Sequence, residues 1–198
     1  MTKYVLNSGG IKKCPELRKQ FHKEMVAGLG GRPRILFCAF AQAREYWEIK
    51  LRDSEGFIRR DAPEDVGLSL ELAMPDIFEA QCEQADIIYF TGGDVDLLRY
   101  WTNRFNLPAL FRGKVVAASS ASVWLLSTSF WSCDWRQCDD GLGILSIKFI
   151  AHYLSDFGAD DPRGPIDWQK AYDDLTAYGD TSLPIHALKE GEFIVIEQ

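Results

Sequence analysis

The chain has 198 residues, 46% of them hydrophobic and 26% charged, with a net charge of −7. That length buries a core without metal or disulfide staples and predicts a single domain spanning residues 1–198. The acidic balance argues against non-specific nucleic-acid binding, and no apolar run reaches the length that a bilayer requires. The N-terminus, MTKYVLNSGG, enters a strand with no leader-like pattern, and the five cysteines, an odd number without metal-ligand spacing, suit a reducing compartment. A cytoplasmic protein with no membrane partner and no bound metal is the expectation.

In chain order, Tyr4–Leu6 form a first strand that ends in the turn-forming run Asn7-Ser8-Gly9-Gly10. A helix is predicted from Pro15, where Leu17, Phe21, Met25 and Leu29 recur every four residues on one face and His22 falls toward solvent or the rim. Arg34–Ala39, RILFCA, is a second strand, and the charged, aromatic stretch Ala41–Arg52 is a helix that Asp53-Ser54-Glu55-Gly56 should end. Val66–Leu70 alternates as a strand, and Pro75 opens a helix to Ala85. Ile87–Phe90 is a buried strand that turns through Thr91-Gly92-Gly93-Asp94 into a helix carrying Val95, Leu97, Leu98 and Trp101. A glycine pair there lets backbone amides face the crevice in which open α/β sheets bind ligands.

Lys114–Thr128, KVVAASSASVWLLST, runs from an apolar strand into an apolar helix through Ala118-Ser119-Ser120-Ala121-Ser122. The spacing is that of the Gly-x-Ser-x-Gly turn, which holds its middle serine in a strained conformation above the sheet edge, and makes Ser120 the candidate nucleophile. A helix-capping role for Ser119 or Ser120 is the alternative. Beyond this point the strand–helix alternation breaks down. Trp131–Gly143 reads as a long loop or short hairpin, Ile144–Ile150 as a strand stopping at Ala151-His152-Tyr153, Asp167–Leu175 as a helix, and Pro184–Ile196 as a closing pair of strands around Glu190-Gly191. The order as a whole calls for an α/β protein with a doubly wound, mostly parallel sheet and helices on both faces.

Five of these pieces, YVLNSGG, RILFCAF, ADIIYFTGGDVDLL, VAASSASVW and LGILSIKFIAHY, occur in the order found in the dipeptidase E and cyanophycinase family of serine peptidases, which the chain resembles. A fainter match, LPIHALKEGEFIVI, continues to the C-terminus. The resemblance implies the flavodoxin-like, class I glutamine amidotransferase-like fold. It implies Ser120 as nucleophile, His152 as general base, and the Gly93 and Ala121 amides as the oxyanion hole. For the triad acid it implies Asp134, following the dipeptidase-like members, with Glu190 as the alternative that cyanophycinase-like members suggest. The family's Gly-x-Ser-Ala-Gly is Ala118-Ser119-Ser120-Ala121-Ser122 here, so neither outer glycine is present.

The implied activity is a serine hydrolase that cleaves a short peptide, aspartyl dipeptides being the substrate class, or a related amide, and that needs no cofactor. Its partner is then a small peptide or amide, with a homodimer left open. Arg99, Arg104 and Arg163 are the candidates for a substrate carboxylate. The competing reading is a catalytically silent amidotransferase-like domain that holds a small ligand or a protein partner, for which Tyr100, Trp101, Trp131 and Trp135 would supply an aromatic surface.

Overall fold

The computed structural model describes residues 1–198. Two sheets share one hydrophobic cluster of 47 buried side chains, a set that includes residues of both. The first sheet takes β1 (Lys3–Asn7), β2 (Arg34–Cys38), β3 (Ser69–Leu72), β4 (Ile87–Phe90), β5 (Val115–Ser119) and the last strand, Phe193–Glu197. The second takes β6 (Ser127–Ser132), β7 (Gln137–Asp140), β8 (Leu145–Ile150) and β9 (Ile185–Ala187), which makes the last strand β10. The helices are α1 (Pro15–Val26), α2 (Trp47–Asp61), α3 (Phe78–Gln84), α4 (Val95–Thr102), α5 (Leu107–Phe111), α6 (Ala121–Leu126) and α7 (Trp168–Ala177).

The six-stranded sheet has the order β10-β1-β5-β4-β2-β3 and is parallel except for β10, which runs antiparallel to β1. Every residue of β4 and β5 is buried, as strands covered on both faces require. Parallel pairing puts the carboxyl ends of β1, β5, β4 and β2 on one edge, and β5 lies between β1 and β4 with Ala118 in register with Leu6 and Phe90. The four-stranded sheet has the order β7-β6-β8-β9; β6 and β7 form an antiparallel hairpin, while β8 pairs in parallel with β6 and β9. The doubly wound pattern therefore holds for the first sheet, and a second sheet occupies the region where the alternation breaks down.

Several predicted elements change. α2 does not stop at residues 53–56 but continues to Asp61, and its backbone turns extended at Ala62, just before Pro63. Glu55 pairs with Arg59 at 2.7 Å across the predicted break, and Trp47 and Ile58 are buried against the core, which outweighs the cost of about 1 kcal/mol for Gly56 within a helix. β3 is shifted toward the C-terminus of the predicted strand and pairs only with β2. The closing strands do not pair with one another: β9 joins β8 in the second sheet and β10 joins β1 in the first, so the loop around Glu190 crosses from one sheet to the other.

His22 is buried rather than solvent-facing. Its Nδ1–H donates to Asp61 at 2.9 Å, and Asp61 also accepts from Arg18 Nε at 2.7 Å, which clamps α1 to α2. Burial opposes ionisation of Asp61, yet hydrogen bonds from Arg18 and His22 leave its carboxyl below the ordinary range. Burial pushes the His22 imidazole down despite its Asp61 partner. Lys148, in the middle of an apolar strand, is buried too; its ammonium donates to the Leu175 carbonyl at 2.8 Å and to those of Thr176 and Tyr178, closing the C-terminal end of α7.

Replacing Asp61 by alanine leaves Arg18 buried without its counter-ion, and is expected to lower the unfolding free energy by about 3 kcal/mol in urea titrations. Burial also lowers the imidazole pKa of His152 and His186. The unfolded chain thus binds protons near pH 6.5 that the folded chain does not, so the thermal midpoint should fall as pH drops through about 6.5.

Candidate active site

A cleft of about 660 Å³ opens at the carboxyl edge of the first sheet, where the β1–α1 turn, the β4–α4 turn, the β5–α6 junction and the end of β8 meet. Ser120 sits at the junction of β5 and α6 with φ 51° and ψ −114°, a conformation costly for any residue with a Cβ. Its surroundings hold it there. The Ser120 N–H donates to the Asn7 carbonyl at 2.8 Å, and the Ser120 carbonyl accepts from Val123 and Trp124 in the first turn of α6. The turn forms with both outer glycines replaced. Ala118 is an interior residue of β5, and the Ser122 hydroxyl donates to the Thr91 carbonyl, tying α6 to the β4–α4 turn.

The Ser120 hydroxyl lies 3.1 Å from His152 Nε2, and His152 Nδ1 lies 3.1 Å from Glu190 Oε1. A neutral imidazole whose Nδ1–H donates to a carboxylate presents Nε2 as the acceptor for a hydroxyl, so the three groups form a continuous relay. His152 follows β8 with φ 57°, and its ring stacks on Phe157 at 4.4 Å between centroids. Burial lowers its pKa below the ordinary value, against the opposing pull of Glu190 and the weaker one of Asp134, which keeps the ring neutral near pH 7. Burial works against ionisation of Glu190, but Lys13 at 3.2 Å and His152 leave it below its usual range.

Asp134, the acid expected first, does not hydrogen-bond to His152. The β6–β7 turn sets it on the cleft wall, and its main-chain oxygen accepts from Arg163 at 2.8 Å. Its carboxyl is raised by withdrawal from water and by the charge of Asp94, against His152 and Arg163. The loop that crosses from β9 to β10 brings Glu190 to the imidazole instead.

Both glycines of the first turn are shaped by this arrangement. A Cβ on Gly9 would lie 2.6 Å from His152 Cε1, and one on Gly10 would lie 2.6 Å from Glu190 Cδ; both residues have positive φ. The amides expected to face an oxyanion, Gly93 and Ala121, donate to no acceptor in the protein. Gln42 Nε2 donates to the Gly92 carbonyl at 2.7 Å, and Asp94 N–H donates to the Ala41 carbonyl at 2.8 Å. In a trans peptide the C=O and the following N–H point opposite ways, so holding the Gly92 carbonyl also sets the direction of the Gly93 N–H.

Asn7, Ser8 and Gln42 are contributors that the sequence reading did not single out. Buried Asn7 accepts from Gly9 N–H at 2.8 Å and from the Ser119 hydroxyl at 3.2 Å, and donates to the Gly191 and Glu192 carbonyls. The Ser8 hydroxyl accepts from His152 N–H at 2.7 Å and donates to the Leu188 carbonyl at 2.7 Å. The signal for them was faint: a polar pair closing an apolar first strand reads as a turn. None of the three candidate arginines lines the cleft. Arg99 donates to the Asp140 carbonyl, Arg163 pairs with Asp161, and Arg104 lies over Trp101; the basic residues on the wall are Lys12, Lys13 and Lys50. Of the four aromatic residues, Trp131 is buried and Trp101 packs against Phe40 and Trp47, while Tyr100 and Trp135 are exposed, Trp135 on the cleft wall.

The geometry defines an α/β chain of flavodoxin-like architecture with a serine, an imidazole and a carboxylate in series at the sheet edge. No protein-family model and no curated protein sequence matches it. Several solved structures do, two peptidases among them. One is a peptidase from an acI-B1 Actinobacterium, 21% identical, with a TM-score of 0.63 over 99% of this chain and 83% of that one. The other is a "putative Peptidase E protein" from Listeria monocytogenes EGD-e, 15% identical, with a TM-score of 0.64 over 100% of this chain and 99% of that one. The chain shares the fold of these peptidases. No helix in it is long and apolar enough to cross a membrane.

Two measurements check the site as drawn. In an NMR titration His152 should show a pKa below 6.5, and Glu190→Gln, which removes the charge that stabilises the imidazolium, should lower it further. Ser8→Ala strips a buried hydroxyl from the His152 N–H, and is expected to cost about 1–3 kcal/mol of stability by denaturant titration.

Proposed function

We propose that the protein is a serine hydrolase of peptidase type, cleaving a short peptide or related amide through an acyl-enzyme. The observation that carries this reading is the Ser120–His152–Glu190 series, assembled from three separate loops with the serine in a strained conformation at the head of α6. A serine hydroxyl is a weak nucleophile until a base takes its proton, and His152, held neutral by burial, is such a base.

In this mechanism Ser120 Oγ attacks the carbonyl carbon while its proton passes to His152 Nε2. Glu190 holds the tautomer and stabilises the imidazolium. The carbonyl oxygen, now an oxyanion, takes hydrogen bonds from the Gly93 and Ala121 amides, whose donors have no competing acceptor. Collapse breaks the C–N bond as His152 returns the proton to the departing amine. A water then gives a proton to His152 and attacks the acyl carbon; the proton passes on to Ser120 Oγ as the acid is released. Asp134, facing the cleft from the β6–β7 turn, is left with a role in the substrate surface rather than in the relay. The fold neighbours, both named as peptidases, support the amide-hydrolase class.

A fluorophosphonate probe should label Ser120, with labelling lost in Ser120→Ala and in His152→Ala while the circular dichroism spectrum persists. Absence of labelling, together with no turnover across a dipeptide library, would replace this reading with that of a ligand-binding domain. On a hydrolysed dipeptide, Glu190→Gln should lower kcat by about 10²–10⁴, and Asp134→Asn should not approach that loss. Activity should fall as pH drops through the His152 pKa, below 6.5, and this limb should move to lower pH in Glu190→Gln.

A further inference from the structure

The cleft is charged asymmetrically. Lys12 and Lys13, on the β1–α1 turn, and Lys50, on α2, line one side, whereas its carboxylates, Asp94 and Asp134, come from the β4–α4 turn and the β6–β7 turn. Three ammonium groups on one side of the cleft stand out in a chain whose net charge is −7, and they differ in how far they are already paired. Lys13 is engaged by Glu190 at 3.2 Å, and Lys12 lies 3.8 Å from Asp53. Lys50 has no ion pair and no hydrogen bond although it is half-buried; on the same helix Glu48 is matched by Arg44 and Glu55 by Arg59, and Arg52, which is also unpaired, is exposed to solvent. Ser54 follows one turn later on the same helix face, lines the same cleft, and has no side-chain hydrogen bond either.

We propose that Lys50, with Ser54 and Lys12, forms a carboxylate-binding subsite that reads the free C-terminal carboxylate of the amino acid leaving the cleft. The side of the scissile bond that this wall serves rests on the hydrolase reading above. His152 must protonate the departing amine, so the leaving portion of the substrate passes its Nε2 edge. The backbone packed against that edge is Gly9, where an added Cβ would lie 2.7 Å from Nε2, and the chain continues from there to Lys12. α2, which carries Lys50 and Ser54, meets that turn through Asp53, whose carboxylate lies 3.8 Å from the Lys12 ammonium. The amides assigned to the oxyanion, at Gly93 and Ala121, come from other segments.

An ammonium in a partly dehydrated groove attracts a carboxylate strongly and gains nothing from a neutral carboxamide of the same shape. A volume of about 660 Å³ suits a ligand of a few residues. The subsite therefore selects a peptide bond next to a free C-terminus over internal bonds of longer chains.

The test measures binding separately from catalysis. With Ser120→Ala protein, calorimetry against a dipeptide library in paired free-acid and C-terminal carboxamide forms should show the acids bound at least about tenfold tighter. Adding Lys50→Met should shrink that gap to under about threefold, and Lys50→Glu should invert it. Equal affinity for the two forms, no binding of either, or a gap that survives Lys50→Met would overturn the proposal. Fluorophosphonate labelling and dipeptide turnover of the wild-type chain separate the two inferences: unlabelled Ser120 and no turnover, with a retained acid preference, remove the hydrolase reading and keep the subsite, while labelled Ser120 without that preference does the reverse.

Discussion

The site hangs on a pair of buried polar side chains at the end of the first strand. Asn7 and Ser8 are withdrawn from water, and apart from the Gly9 amide that Asn7 accepts, their side-chain hydrogen bonds reach the segments that carry Ser120, His152 and Glu190. The Asn7 main chain takes the Ser120 amide and its side chain takes the Ser119 hydroxyl; Ser8 takes the His152 amide; together they donate to the carbonyls of Leu188, Gly191 and Glu192 on either side of Glu190. A buried amide or hydroxyl left without partners costs enough that none of these loops can shift alone. Specific geometry among three side chains remote in sequence thus comes from satisfying two residues that do no chemistry in the proposed mechanism.

The same logic extends to the other side of the cleft. Gln42 and the Ala41 carbonyl grip the β4–α4 turn from the loop after β2, and the contact is so close that a Cβ on Gly93 would lie 2.1 Å from Gln42 Nε2. Glycine there is demanded by a neighbour's approach as much as by its own dihedral. The donors proposed for the oxyanion are therefore set before any ligand arrives, which is the condition for electrostatic stabilisation without reorganisation.

What the sequence disclosed and what it hid divide along physical lines. Apolar runs such as RILFC and IIYF announce strands covered on both faces, and the serine turn is visible because a strand meets a helix with only small residues between them. Ser120 and His152 follow from ordered pieces of the chain, and the distance between them is a matter of tertiary structure that the pieces only suggest. Which of Asp134 and Glu190 lies against the His152 ring is not legible in the sequence, because it depends on β9 and β10 entering different sheets, whereas their proximity along the chain suggests a hairpin. His22 was misjudged because helical periodicity records where apolar residues fall and cannot register that Arg18 and Asp61 bury a charge network on the same face. Lys148 interrupts an apolar strand for a comparable reason: its partners are carbonyls at the end of a helix about thirty residues away.

Ser120 ends a strand of the first sheet, His152 follows a strand of the second, and Glu190 rides the loop that bridges them. The relay therefore straddles a seam and belongs to neither half. A folding intermediate with both sheets formed but not yet docked would have its secondary structure in place and no hydrogen-bonded series from Ser120 through His152 to Glu190. A probe of the distance between Ser120 and His152 would consequently report the closing of that seam, an event to which spectroscopic measures of helix and strand content are blind.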